Sequence, residues 1–75
     1  MKIMRYLVVV EKGPTSFGAY VPDLPGCVAA GETKAEVLAL IREAIELQLE
    51  GLRDEGQSIP APSSSSELVE VEAAF

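Results

Sequence analysis

The 75-residue sequence contains no histidine and no tryptophan, and it has a single cysteine. Without histidine or further thiols, a zinc site of the usual Cys/His type cannot be assembled, and lone Cys27 cannot close an intrachain disulfide. A thiolate nucleophile would also lack its customary base. Cations are scarce. Six Lys and Arg against twelve Asp and Glu leave a net charge of −6, which repels nucleic acid on average and attracts a basic partner. Also missing are a Gly-rich phosphate loop, converging carboxylates in the short loops, and a basic stripe interleaved with aromatics. The N-terminal run MKIMRYLVVVEKG is too short to span a bilayer and carries no signal cleavage site. No cofactor, no metal and no membrane partner are expected, and a reducing, cytoplasmic compartment fits the cysteine count.

What is present fits one small domain over 1–75. At this length folding buries about 60% of the surface the unfolded chain exposes, so self-association, or a partner that completes the core, is expected. Residues 2–11 form a first strand with apolar residues on both faces: Ile3, Leu7 and Val9 on one, Met4, Tyr6, Val8 and Val10 on the other. That pattern predicts a strand covered on both sides. Residues 11–16, EKGPTS, have hairpin composition and lead to a second strand over about 16–22, with Phe17, Ala19 and Val21 sharing a face.

The stretch VPDLPGC then turns the chain. Pro22 and Pro25 fix φ and remove two donors, Asp23 accepts from backbone nearby, and Pro25-Gly26 suits a type II turn with Gly26 at positive φ. A third strand of small residues follows over about 27–32. Thr33 and Glu36 have capping-box spacing and start a helix. It runs over about 34–55, roughly 33 Å at 1.5 Å per residue, and Gly56 and Pro60 mark its end. Val37, Leu38, Ile41, Ile45, Leu49 and Leu52 form one apolar stripe. With Leu40, Ala44, Leu47 and Gly51 beside it, the apolar arc spans roughly 200°, about twice what one core face needs. The rest of the helix surface is mostly acidic.

Residues 56–66 read as a flexible Pro/Ser linker. The alternation of Val69, Val71, Ala73 and Phe75 against Glu70 and Glu72 predicts a terminal strand over about 67–73 at a sheet edge, so Val69, Val71 and Phe75 are candidates for an oligomer seam. The order is β-β-β-α-β, an α+β fold with an antiparallel-rich sheet and one long helix packed on it.

Chemistry is not visible in the side chains. Cys27 as a nucleophile weighs less than Cys27 as a small residue opening a strand. Asp23 as a general base or metal ligand weighs less than Asp23 as a turn residue. The acidic helix face is either the solvated side of an amphipathic helix or a surface for a basic partner. Leu40 and Leu47 are either further core or the apolar part of that surface, and both readings stay open.

The ordered set formed by Tyr20, Pro22 to Cys27, Gly31 to Thr33, Glu36, and then Gly56, Ile59, Pro60 and Pro62 resembles the HicB-like antitoxin family. The resemblance is specific over 20–62. It implies a partial ribonuclease H-like unit without that enzyme's acidic metal site. It also implies the antitoxin half of a bacterial type II toxin-antitoxin pair, not an enzyme, whose partner is a HicA-like toxin: a small basic mRNA ribonuclease neutralised by direct binding and occlusion. Leu40, Glu43, Glu46, Leu47 and Glu50 are the candidate contact residues. Many members carry a helix-turn-helix or ribbon-helix-helix domain beyond the position of Pro62, and residues 63–75 are too few for one. DNA binding by this chain alone is therefore not expected. A solitary oligomeric regulatory or interaction module without a cognate toxin is the competing function.

Overall fold

A computed structural model describes residues 2–74 of the chain. Three short strands, β1 (Val9–Lys12), β2 (Phe17–Tyr20) and β3 (Val28–Gly31), precede one long helix, α1 (Lys34–Asp54). The strands form an antiparallel meander in the order β1-β2-β3. The register places Val10 beside Ala19 and Ala19 beside Ala29, so these residues share the face that meets α1. The opposite face carries Val9, Tyr20 and Val28 in one row. This is the α+β fold expected from the sequence.

The β1–β2 connection, Gly13 to Ser16, is closed by the Gly13 N–H donating to the Ser16 carbonyl at 2.8 Å. After β2 the chain makes two successive reverse turns. The Leu24 N–H donates to Val21 O, the Cys27 N–H to Leu24 O, and the Val21 N–H closes the loop on Cys27 O. Gly26 stands at φ +82° in the second turn, the i+2 position of a type II turn that the Pro25-Gly26 pair predicts. The loop contributes to the core as well as reversing the chain. Leu24 is completely buried, and Val21 and Cys27 are buried beside it. Gln48 Nε2 of α1 donates to Pro25 O at 3.3 Å and ties the loop to the helix.

The start of α1 follows from its cap. Thr33 has extended backbone, and its hydroxyl accepts from the Glu36 N–H at 3.1 Å. The reciprocal arm differs from the expected capping box: Glu36 Oε2 accepts from the N–H of Glu32, at 3.3 Å, in place of that of Thr33. The helix ends in a Schellman motif. The Gln57 N–H bonds Leu52 O, the Gly56 N–H bonds Arg53 O, and Gly56 takes φ +70°, the left-handed conformation glycine tolerates best.

The core is small: Ala19, Val21, Leu24, Cys27, Val37 and Ile41. Leu24, Val37 and Ile41 are its largest fully buried side chains, each contributing about 1.5–3 kcal/mol of transfer free energy. The helix lies mainly over β2 and β3. At Gly31 the approach is close enough that an added Cβ would stand 3.0 Å from the Val37 backbone nitrogen.

Three expectations are corrected. The first strand begins at Val9, not near residue 2, and residues 2–8 lie outside the ladder. Its partner β2 ends at Tyr20, after which Val21 bonds the loop and Pro22 has no N–H to offer, so the pairing stops at Val9↔Tyr20. Nor is this segment covered on both sides, since Tyr6, Val8 and Val10 pack on the core while Ile3 is exposed. Finally, the strand expected over 67–73 is not formed within the chain. Leu68, Val69 and Val71 are exposed, and residues 67–74 pair with neither edge of the three-stranded sheet. Phe75 lies outside the described residues.

Candidate functional site

The segment after the helix is tethered, which its Pro/Ser composition did not reveal. The Tyr6 hydroxyl donates to the Pro60 carbonyl. Asp23 then takes four hydrogen bonds from two consecutive serines. Oδ2 accepts the Ser63 and Ser64 N–H groups at 2.9 and 3.0 Å, and Oδ1 accepts their hydroxyls at 3.0 and 2.8 Å. Backbone donors from Ser64 and Ser63, with the Ser64 hydroxyl next, hold the Asp23 carboxyl down at about 2. The Tyr6 phenol is pushed up, first by burial and then by the negative charge of Asp23. Pro22, Asp23, Pro25 and Gly26 lie in the double turn, and Asp23 also anchors Ser63 and Ser64 of the segment after the helix.

The side chains weighed for chemistry fall apart in the structure. Cys27 is buried, and burial pushes its thiol up, which disfavours the nucleophilic thiolate. The Asp23 carboxylate is engaged by serines. Among the described residues, no three His, Cys, Asp or Glu side chains come together as metal ligands, and no helix is long and apolar enough to cross a membrane.

The surface of α1 is the larger feature. Val37 and Ile41 are its buried residues. At about 100° per residue, Leu40 and Leu47 stand about 100–120° from Ile41 on one flank, while Leu38 and Leu49 stand about 60–80° away on the other. Leu47 is 70% exposed and Leu40 38%, so neither belongs to the core, and the question of further core is answered against it within this chain. Glu43 and Glu50 lie on the outward face between the flanks and are exposed. Glu46 lies next to both, three positions from Glu43 and four from Glu50. It sits toward the other flank and pairs with Arg42 at 3.7 Å, both side chains largely exposed. The expected contact residues thus follow one another around the helix, with Leu40 and Leu47 at one border, Glu43 and Glu50 outward, and Glu46 at the other border.

That second flank borders a groove of about 650 Å³ between α1 and the unpaired N-terminal segment. Its helix side is formed by Leu38, Ile45 and Leu49, and Lys2, Arg5 and Arg42 stand along it. Sequence reading missed the groove, because it exists only where the helix covers β2 and β3 and leaves residues 2–8 open. The available signal was the scarcity of cations: six occur in the chain, and these three meet at one place.

The two-turn Pro-Asp-Leu-Pro-Gly-Cys loop, the capped helix and the returning Ile-Pro-x-Pro segment lie within residues 6–74, which match the family described as HicB-like antitoxin of bacterial toxin-antitoxin system. The chain belongs to the HicB-like antitoxin family. Among its relatives, Antitoxin HicB 2 of Photorhabdus laumondii is 34% identical over 75 residues, covering 99% of this chain and 54% of the relative. A 14.9 kDa protein from the rep-hol intergenic region of Haemophilus phage HP1 is 35% identical over 57 residues, 76% of this chain and 43% of its own. A UPF0150 protein of Thermoplasma acidophilum is 40% identical over 58 residues, 76% of this chain and 84% of its own. The chain therefore spans about half the length of the first two relatives and most of the third. No solved structure matches.

Proposed function

We propose that this HicB-like chain neutralises a small, basic, HicA-type mRNA ribonuclease by direct binding, covering the surface on which RNA phosphates would lie. The observation that supports it is the outward face of α1. Glu43 and Glu50 are exposed there beside Leu40 and Leu47, on a chain of net charge −6. Carboxylates steer a cationic partner into encounter, and exposed leucines supply a centre that loses water on contact and slows release. The role is one of binding and not of catalysis, in keeping with a buried Cys27 and an Asp23 engaged by its own chain. A cytoplasmic setting and self-association belong to the same reading.

Co-expression of the neighbouring open reading frame, with and without this protein, tests it. A basic product that arrests growth alone, is silenced by this chain and co-purifies with it is the expected result. A neighbouring product that is harmless, or whose toxicity this chain leaves unchanged, contradicts the reading and favours a solitary interaction module.

A further inference from the structure

The flank of α1 opposite the groove has a repeating outline. The groove lies at residues 2–8 and the strand order is β1-β2-β3, so this flank is on the β3 side of the sheet. Leu40, Ala44, Leu47 and Gly51 fall on it at spacings of four, three and four, the rhythm of a seam between two helices. At about 100° per residue the four lie within about 60° of one another. Large and small residues alternate along the row. Leu40, Leu47 and Gly51 are exposed and Ala44 is half-buried.

Gly51 is the member of the row that the fold alone does not account for. It is not among the positive-φ glycines, and an added Cβ would meet nothing within 4 Å, so neither backbone conformation nor packing among the described residues requires glycine there. In a helix interior glycine is less favourable than any residue except proline. What glycine supplies is room for close approach, and with Ala44 it opens two notches on either side of Leu47. The row is also charged along one border. Glu36, Glu43, Glu50 and Asp54, all exposed, follow its outward side, while Arg42 and Arg53 of the same helix stand on the groove flank.

We infer that this flank is a helix-binding seam whose occupant is an amphipathic helix of the basic partner, with large apolar side chains entering at Ala44 and Gly51 and Lys or Arg along the border that meets Glu36, Glu43, Glu50 and Asp54. This deepens the proposed function, on which it rests, by naming the element the partner brings. A strand or an irregular loop has no 3–4 periodicity to match the row. A helix matches all four members, and it can approach to an interaxial distance of about 8 Å because the residues at the notches are small. Opposite charges along the border set the register and favour a cationic helix over an acidic one. From Leu40 to Gly51 the row covers about 16 Å at 1.5 Å per residue, so about three turns of the partner span it.

Fluorescence anisotropy with a labelled synthetic helix tests this on the full chain, without any toxin. The probe has about three heptads, with Leu at the seam positions, Lys at the flanking ones and Gln elsewhere. One control peptide carries Glu in place of Lys, and a second carries a central Pro that breaks the helix. The Lys probe should bind the wild type, and both controls should bind at least roughly tenfold more weakly at low salt. Gly51→Gln fills the second notch without adding apolar surface or charge. It should weaken the Lys probe by roughly tenfold while circular dichroism shows an intact fold. A Lys probe that does not bind, or binding that the Glu control, the central Pro or Gly51→Gln leaves unchanged, overturns the seam. Growth rescue by co-expression reads the proposed function separately. Rescue that Gly51→Gln leaves at wild-type strength overturns the seam and keeps the antitoxin reading, whereas probe binding without rescue keeps the seam and overturns that reading.

Discussion

Asp23 and Ser64, 41 positions apart in the chain, are joined by two hydrogen bonds, the Ser64 N–H to Oδ2 at 3.0 Å and the Ser64 hydroxyl to Oδ1 at 2.8 Å. The bonds connect a reverse turn between two strands to the segment that follows the helix, so they act on the part of the molecule that holds the tail in place. Ser63 doubles the connection through its own N–H and hydroxyl.

This connection depends on pH in a defined direction. The Asp23 carboxyl is lowered in the folded chain from 3.8 to about 2, so the unfolded state binds its proton first on acidification. The contribution is fully present above the unfolded value and is lost as pH falls through the folded one. Comparing wild type with Asp23→Asn, denaturant midpoints should differ by a constant amount at neutral pH and converge between about pH 4 and 2. The difference isolates Asp23 from the other carboxylates. Amide exchange at Ser63 and Ser64 should be faster in Asp23→Asn at pH 6, and equal protection in both proteins would count against the tether.

Gly26 and Gly31 should fail for different reasons. Gly26 sits at φ +82° with nothing within 4 Å of an added Cβ, so Gly26→Val costs about 1–3 kcal/mol through backbone strain alone, and Gly26→Asn recovers part of that loss because asparagine enters the left-handed region more readily. Gly31→Ala instead places a methyl 3.0 Å from the Val37 backbone nitrogen, and the helix start must shift to accommodate it. Chemical denaturation checks both. A Gly26→Asn protein less stable than Gly26→Val would contradict the turn assignment.

At Gly51 the helix itself is the issue. An added Cβ there meets nothing within 4 Å, and the residue is exposed in the interior of α1. Gly51→Ala should stabilise the protein by about 0.5–1 kcal/mol through helix propensity. Thermal unfolding at fixed protein concentration measures it, and a lowered midpoint would mean that this flank is packed against something in solution.

The features legible in the sequence are those carried by local signals. Thr33 and Glu36 mark the helix start, and Gly56 marks its end within a residue. Pro25-Gly26 specifies the turn, and the alternation of Phe17, Ala19 and Val21 identifies the inner face of β2. Leu24 was hidden because a leucine between two turn dipeptides carries no periodicity, although its side chain fills the core. The neighbours of Asp23 mark it as a turn residue, but its partners lie 40 and 41 residues away. The ends of the chain mislead a reading of local pattern for a related reason. Residues 2–8 and 67–73 both have strand character, but a strand exists only where an edge accepts it, and local pattern does not say which edges are free.

The proposal that α1 presents an acidic face with a leucine border to a basic ribonuclease is tested most directly by binding kinetics. Stopped-flow measurement would compare wild type, a Glu43→Lys, Glu46→Lys, Glu50→Lys triple variant and Leu47→Asp, each first shown to be folded. The triple variant should slow association by roughly tenfold or more at low salt and flatten its salt dependence. Leu47→Asp should leave association nearly unchanged and speed dissociation by about tenfold to a hundredfold. Wild-type rates in both variants would contradict the helix face as the contact surface.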